Sequence, residues 1–178
     1  NQLLIWDLRR ADSSVHSMAH RAAVKAIAWC PTRRDFLASG AGTADKRVRI
    51  WNTITGARVA SCSTDAQVTG LTWAPDGTSE LVASLGWSTL SVGGLCALRW
   101  DRTGVGGLDV VARAWTRGGR ILNLASSPDR TRVALTSPNE RFQLYQLYDA
   151  PSSAKKGAFA NLRRDVRRWD SVFGTVLR

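Results

Sequence analysis

Short apolar runs alternate with polar, glycine- or proline-bearing turns along most of this chain, and their spacing sets out the elements it should form. Over residues 23–29 small or apolar side chains alternate with others as in a half-buried strand, and 31–35 is a polar turn that stops it. Residues 36–39 make a second strand. The run Gly40-Ala41-Gly42-Thr43-Ala44-Asp45 is rich in glycine and predicts a turn, after which Val48, Ile50 and Trp51 resume the apolar pattern as a third strand. Arg58–Ser63 is the fourth.

The unit recurs. Trp6, Trp51 and Trp100 stand 45 and 49 residues apart, and a further 45 leads to Tyr145. Trp29-Cys30-Pro31 and Trp73-Ala74-Pro75 are 44 apart, with Ser126-Ser127-Pro128 following after 53. These are periods of one four-stranded blade of a β-propeller. Within the best-formed unit, His20 before the first strand, Asp45 in the turn and Trp51 near the end of the third match a WD-repeat blade. In the next unit the strands fall at 67–73, 80–85, 96–100 and 110–115, and in the last at 121–125, 132–136 and 141–147. The join at 86–95 lacks a turn aspartate, so packing should hold that blade more than a polar lock.

The reading is therefore all-β: a partial WD40 β-propeller of about three and a half blades out of an expected seven, with a short basic C-terminal tail. The partial blade is 1–18, with 1–8 as a third strand and 9–18 as outer strand or loop. Full units follow at 19–63, 64–116 and 117–149, and the tail at 150–178. Such a piece is expected to be the C-terminal part of a longer protein, since a half-propeller leaves blade edges bare. In the tail, Phe159, Leu162, Val166, Trp169 and Val172 or Phe173 step by threes and fours, which predicts a short amphipathic helix over 158–173.

Charge adds to this picture. The 178 residues carry 25 Lys or Arg against 14 Asp or Glu, a net charge of +11, and seven of the cations lie in the tail with only Asp165 and Asp170 opposing them. A tail of this kind suits an acidic partner or nucleic acid, or is a solvated extension. No run of 18 apolar residues and no charged-then-apolar leader is present, so neither a membrane span nor secretion is expected. Cys30, Cys62 and Cys96 share no metal-type spacing and read as reduced thiols in a nuclear or cytoplasmic protein.

Catalytic patterns are missing. There is no Gly-x-Ser-x-Gly, phosphate loop, histidine-metal cluster or paired carboxylate with a base, so neither an enzyme nor a cofactor is expected. His16 and His20 are the only histidines. His20 is assigned to a structural lock with Ser39, Asp45 and Trp51, tying turn to strand in water-poor surroundings.

The strings A-V-K-A-I-A-W-C-P (23–31), L-A-S-G-A-G-T-A-D-K-R-V-R-I-W-N (37–52) and Q-V-T-G-L-T-W (67–73), with a terminal Leu-Arg, resemble the Fizzy and Fizzy-related family of WD-repeat proteins. The likeness is dense over 20–73, thinner over 119–147 and nearly absent over 86–118. It implies a coactivator of the anaphase-promoting complex, a ubiquitin ligase, that recognises degrons in cell-cycle proteins. The family's pocket for the Lys-Glu-Asn degron falls on Asn1, Thr43, Gln67 and Arg120, and its acidic residue for the destruction-box degron on Glu140. Leu177 and Arg178 resemble the family's Ile-Arg tail, which docks to helical-repeat subunits of the ligase. In an antiparallel blade, the loop between second and third strands and the link between blades emerge on one face, so all five rim residues are expected on one side. A generic WD-repeat scaffold, with the basic tail on RNA in a ribonucleoprotein, is the alternative reading.

Overall fold

The structure, a computed structural model, describes residues 1–75, 79–88, 93–101, 107–116, 119–139 and 142–148. The expected tail helix at 158–173 lies outside them. Thirteen strands form four antiparallel sheets among the described residues. β1 (Gln2–Ile5) pairs with β2 (His16–Ala19). β3 (Val24–Trp29), β4 (Phe36–Ala41), β5 (Arg47–Asn52) and β6 (Arg58–Ser63) form one four-stranded blade in chain order. β7 (Ala66–Trp73), β8 (Glu80–Ser88), β9 (Gly94–Trp100) and β10 (Leu108–Trp115) form the next. β11 (Asn123–Ser126), β12 (Arg132–Thr136) and β13 (Phe142–Gln146) make a three-stranded sheet. This is a partial propeller: within each sheet every strand pairs with its neighbour in sequence, and the loops alternate between two rims.

Hydrophobic seams join the blades. Ala38, Val48 and Ile50 of the β3–β6 blade meet Val68, Leu81, Leu85 and Leu98 of the β7–β10 blade, all at most 1% exposed. Burying each large aliphatic side chain contributes about 1.5–3 kcal/mol. Trp100 stands near edge-on to Phe36 at 4.7 Å and to Trp73 at 6.2 Å, a geometry that aligns ring edges with π-faces. Trp73 also donates its indole N–H to the carbonyl of Ala28 on β3, at 2.9 Å. A second seam sets Val82, Leu95 and Ala97 against Ile121, Val133, Leu135 and Leu147.

The strand pattern was legible, with local differences. β4 continues through Gly40 and Ala41, where the glycines suggested a turn. The reason is packing: a Cβ on Gly40 would lie 2.3 Å from Val68 Cγ1, so this glycine admits the next blade's side chain. Gly70 does the same for Leu124, whose Cβ would lie 2.6 Å away. β1 ends at Ile5, before Trp6, and the outer partner β2 starts only at His16. Trp6 is 48% exposed whereas Trp51 and Trp100 are at 5%, because β1 is paired on its β2 side alone. Trp29 is likewise 51% exposed while its counterpart Trp73 is at 2%, since Trp73 lies against β3 and the described residues place no inner strand ahead of Trp29.

Candidate functional site

The turn between β4 and β5 is built on Gly42, whose carbonyl accepts from the N–H groups of Asp45 and Lys46 at 3.0 and 2.9 Å. This curls the chain so that the Asp45 carboxylate points back under the turn. His20 Nδ1 lies 2.8 Å from Asp45 Oδ2 and its Nε2 2.8 Å from Ser39 Oγ, which also accepts the Trp51 indole N–H at 2.7 Å. The sequence omitted one member of this network. Arg49, 5% exposed, donates through Nη2 to Asp45 Oδ1 at 2.8 Å and through Nη1 to Asp45 Oδ2. The Arg21 backbone N–H adds a bond to the same carboxylate at 3.2 Å.

These contacts fix the protonation states. Burial pushes the His20 imidazole below its usual 6.5, against the hydrogen bond to Asp45, and the Arg49 charge adds to the lowering. A neutral ring then donates from Nδ1 to Asp45 and accepts at Nε2 from the Ser39 hydroxyl, which leaves the nearby Arg49 to serve the carboxylate. Burial alone would raise the Asp45 carboxyl, but hydrogen bonds from Arg49 and His20 outweigh it and hold it at about 2. The cluster is electrically closed and faces inward, as suits a structural lock. The cysteines are free; Cys96 is buried, which pushes its thiol up to about 11, and Cys62 is half-buried with its thiol also raised by burial. Among the described residues no group of three or more His, Cys, Asp or Glu could hold a metal ion.

The candidate rim lies on the side where β4 turns into β5. Asn1 precedes β1; its carbonyl accepts from His20 N–H at 2.9 Å and its Nδ2 donates to Arg21 O at 3.5 Å. Gly42 N–H reaches Ala23 O at 3.0 Å, bringing the exposed Thr43 beside the same link. Gln67 is the second residue of β7, inside the strand and not in the link before it, because pairing already starts at Ala66 opposite Ser88. Arg120 lies exposed in the link between β10 and β11. Two glycines bring the Gln67 amide close to the backbone link that carries Arg120. A Cβ on Gly86 would lie 3.0 Å from Gln67 Oε1 and 3.2 Å from Ile121 O, and one on Gly93 would lie 2.7 Å from the Arg120 Cα. Asn1 and Thr43 thus flank the junction of the first two sheets, Gln67 and Arg120 that of the last two, and both junctions open on the same rim. Glu140, Leu177 and Arg178 lie outside the described residues.

Over residues 12–52 the chain matches the model of the WD40 family, described as "WD domain, G-beta repeat". It is 32% identical over 154 residues to "APC/C activator protein CDC20" of Saccharomyces cerevisiae, covering 84% of this chain and 25% of that protein. It is 34% identical to "WD repeat-containing protein slp1" of Schizosaccharomyces pombe, over 84% of this chain and 29% of the relative. "Protein FIZZY-RELATED 1" of Arabidopsis thaliana is 31% identical, over 94% and 34%. Over most of its length the chain is homologous to the Fizzy and Fizzy-related WD-repeat proteins. A chain of the solved "Crystal Structure of Mitotic Checkpoint Complex" superposes on it with a TM-score of 0.75 at 33% identity, covering 84% of this chain and 44% of that one. The chain spans about a quarter to a third of the length of these Fizzy-type relatives. The name activator is carried by CDC20 and also by "APC/C activator protein CDH1" of Saccharomyces cerevisiae, 34% identical over 75% of this chain and 22% of that protein.

Proposed function

We propose that the protein containing this chain is a substrate-recognition coactivator of the anaphase-promoting complex. It binds degron peptides on the propeller rim and performs no chemistry itself. Asn1, Thr43, Gln67 and Arg120 receive a Lys-Glu-Asn-type degron, Glu140 meets the arginine of a destruction box, and Leu177-Arg178 docks to helical-repeat subunits of the ligase. Its substrates are degron-bearing cell-cycle proteins, met in the nucleus and cytoplasm.

The observation that carries this reading is the closing of the Gln67 amide and of the link that carries Arg120 onto Gly86 and Gly93, in a chain with relatives named as activators of this ligase. A guanidinium beside neutral amides and a hydroxyl suits a peptide carboxylate, with a charge-assisted bond of about 1.5–3 kcal/mol. The amide of Gln67 and the hydroxyl of Thr43 can then bond the degron's asparagine and backbone. The test is calorimetric titration of the full-length protein with a Lys-Glu-Asn peptide. Arg120→Ala should weaken binding about tenfold or more; unchanged affinity removes the pocket assignment.

A further inference from the structure

The rim has a second chemical character beside Thr43. Lys46 and Arg47 follow Asp45 directly, and the Arg21 backbone N–H bonds Asp45 at 3.2 Å, so the backbones of three cationic residues meet at one turn. That carboxylate does not neutralise them, because Asp45 is buried and taken by Arg49, His20 and the Arg21 amide. The next acid along the rim, Asp65, pairs with Arg113 at 2.8 Å. Among the described residues Arg21, Lys46 and Arg47 enter no ion pair; Arg21 and Arg47 are exposed and Lys46 half-buried.

The backbone at Lys46 points the same way. Lys46 has φ +52, in the left-handed region where glycine or asparagine is the usual residue. The conformation is held from both sides: Lys46 N–H bonds Gly42 O at 2.9 Å, and Lys46 O accepts from Thr64 N–H at 2.9 Å. Thr64 Oγ1 stands 3.1 Å from the same carbonyl. These bonds hold the Lys46 backbone in place close to Thr43; Asp65 and Arg130 take up the same left-handed conformation elsewhere in the chain.

We propose that Arg21, Lys46 and Arg47 form a subsite beside Thr43 that selects peptides bearing anionic side chains next to the recognised motif. It rests on the peptide-binding reading of the rim and adds a specificity determinant to it. Exposed charge pairs are individually weak and screened by salt, so the subsite ranks peptides that already bind and does not anchor them.

The test uses the full-length protein and three peptides sharing one Lys-Glu-Asn core, flanked by serine, by aspartate or by phosphoserine. The aspartate or phosphoserine peptide should bind about three- to tenfold tighter than the serine peptide at low salt. Which of the two gains more separates carboxylate from phosphate as the ligand. The ratio should fall toward one in Arg21→Gln/Lys46→Gln/Arg47→Gln and above about 0.5 M salt, where screening is short-ranged. In Lys46→Glu/Arg47→Glu the preference should invert toward a lysine-flanked peptide, an outcome that a merely misfolded rim does not give. Equal binding of all three by the wild type overturns the subsite and leaves the Lys-Glu-Asn pocket standing; no binding by any removes both. Binding of a single-stranded RNA oligonucleotide to the same cations more tightly than the anionic peptides overturns it in favour of nucleic acid.

Discussion

Replacing Arg49 with methionine keeps side-chain length and removes the guanidinium that bonds both oxygens of Asp45. The Asp45 side chain is fully buried, so the change leaves a carboxylate sealed from water with only His20 and the Arg21 amide to meet it. Breaking one side of a buried ion pair costs about 3–5 kcal/mol, and at neutral pH that is the expected loss in a urea denaturation of the full-length protein. Asp45→Asn combined with Arg49→Met should cost less than Arg49→Met alone, because no charge is stranded.

The pH dependence carries the sharper test. In the wild type the His20 pKa is depressed, so its contribution is fully present above 6.5 and declines as pH falls below it. The Asp45 contribution, about 2 kcal/mol for a carboxyl held at about 2 instead of 3.8, is present above 3.8 and declines as pH falls toward 2. Loss of Arg49 removes one cause of the His20 depression and the main force holding Asp45 down, so both groups take up protons more readily. The stability gap between wild type and Arg49→Met should therefore narrow between pH 7.5 and pH 5. A gap that stays constant or widens over that range refutes the account of the lock.

Gly40→Ala drives a methyl to 2.3 Å from Val68 Cγ1 and should destabilise by about 1–3 kcal/mol, with Val68→Ala restoring part of the loss in a thermal melt. Trp100→Ala removes the ring that meets both Phe36 and Trp73 and should cost about 3–5 kcal/mol by urea denaturation. Cys96, with its thiol at about 11, should resist a thiol reagent at pH 8 until urea unfolds the blade; labelling in the folded state at the rate of a free thiol contradicts the burial described.

Much of this was legible because it follows from short-range rules. Alternation and turn chemistry located the strands at 58–63 and 132–136 to the residue, and antiparallel order alone puts Thr43 and Arg120 on one rim. His20, Ser39, Asp45 and Trp51 could be linked because each holds a fixed place relative to its strand. Arg49 was missed because an arginine inside a strand reads as solvent-facing, and only the inward turn of Asp45 makes it a core residue. Gly40 was read as a turn because local sequence carries no sign of Val68, a residue 28 positions on that presses against it. The approach of Gly86 to Gln67 and of Gly93 to Arg120, 19 and 27 positions apart within one blade and the link leaving it, likewise leaves no mark in the local sequence. Contacts between blades depend on distances that no single blade encodes.

The Trp73 bond to the Ala28 carbonyl, with Gly40 receiving Val68 and Gly70 receiving Leu124, interlocks the inner portions of three successive sheets. Opening β3 to solvent uncovers Trp73, and loosening β7 frees Leu124. Amide deuterium uptake across β3, β7 and β11 should therefore rise together under mild denaturant, as a single kinetic unit, while the outer β6 and β10 exchange earlier. A fluctuation in one sheet then has no cheap local route: it propagates to the neighbouring sheets or does not occur, and this keeps side chains on neighbouring blades in step.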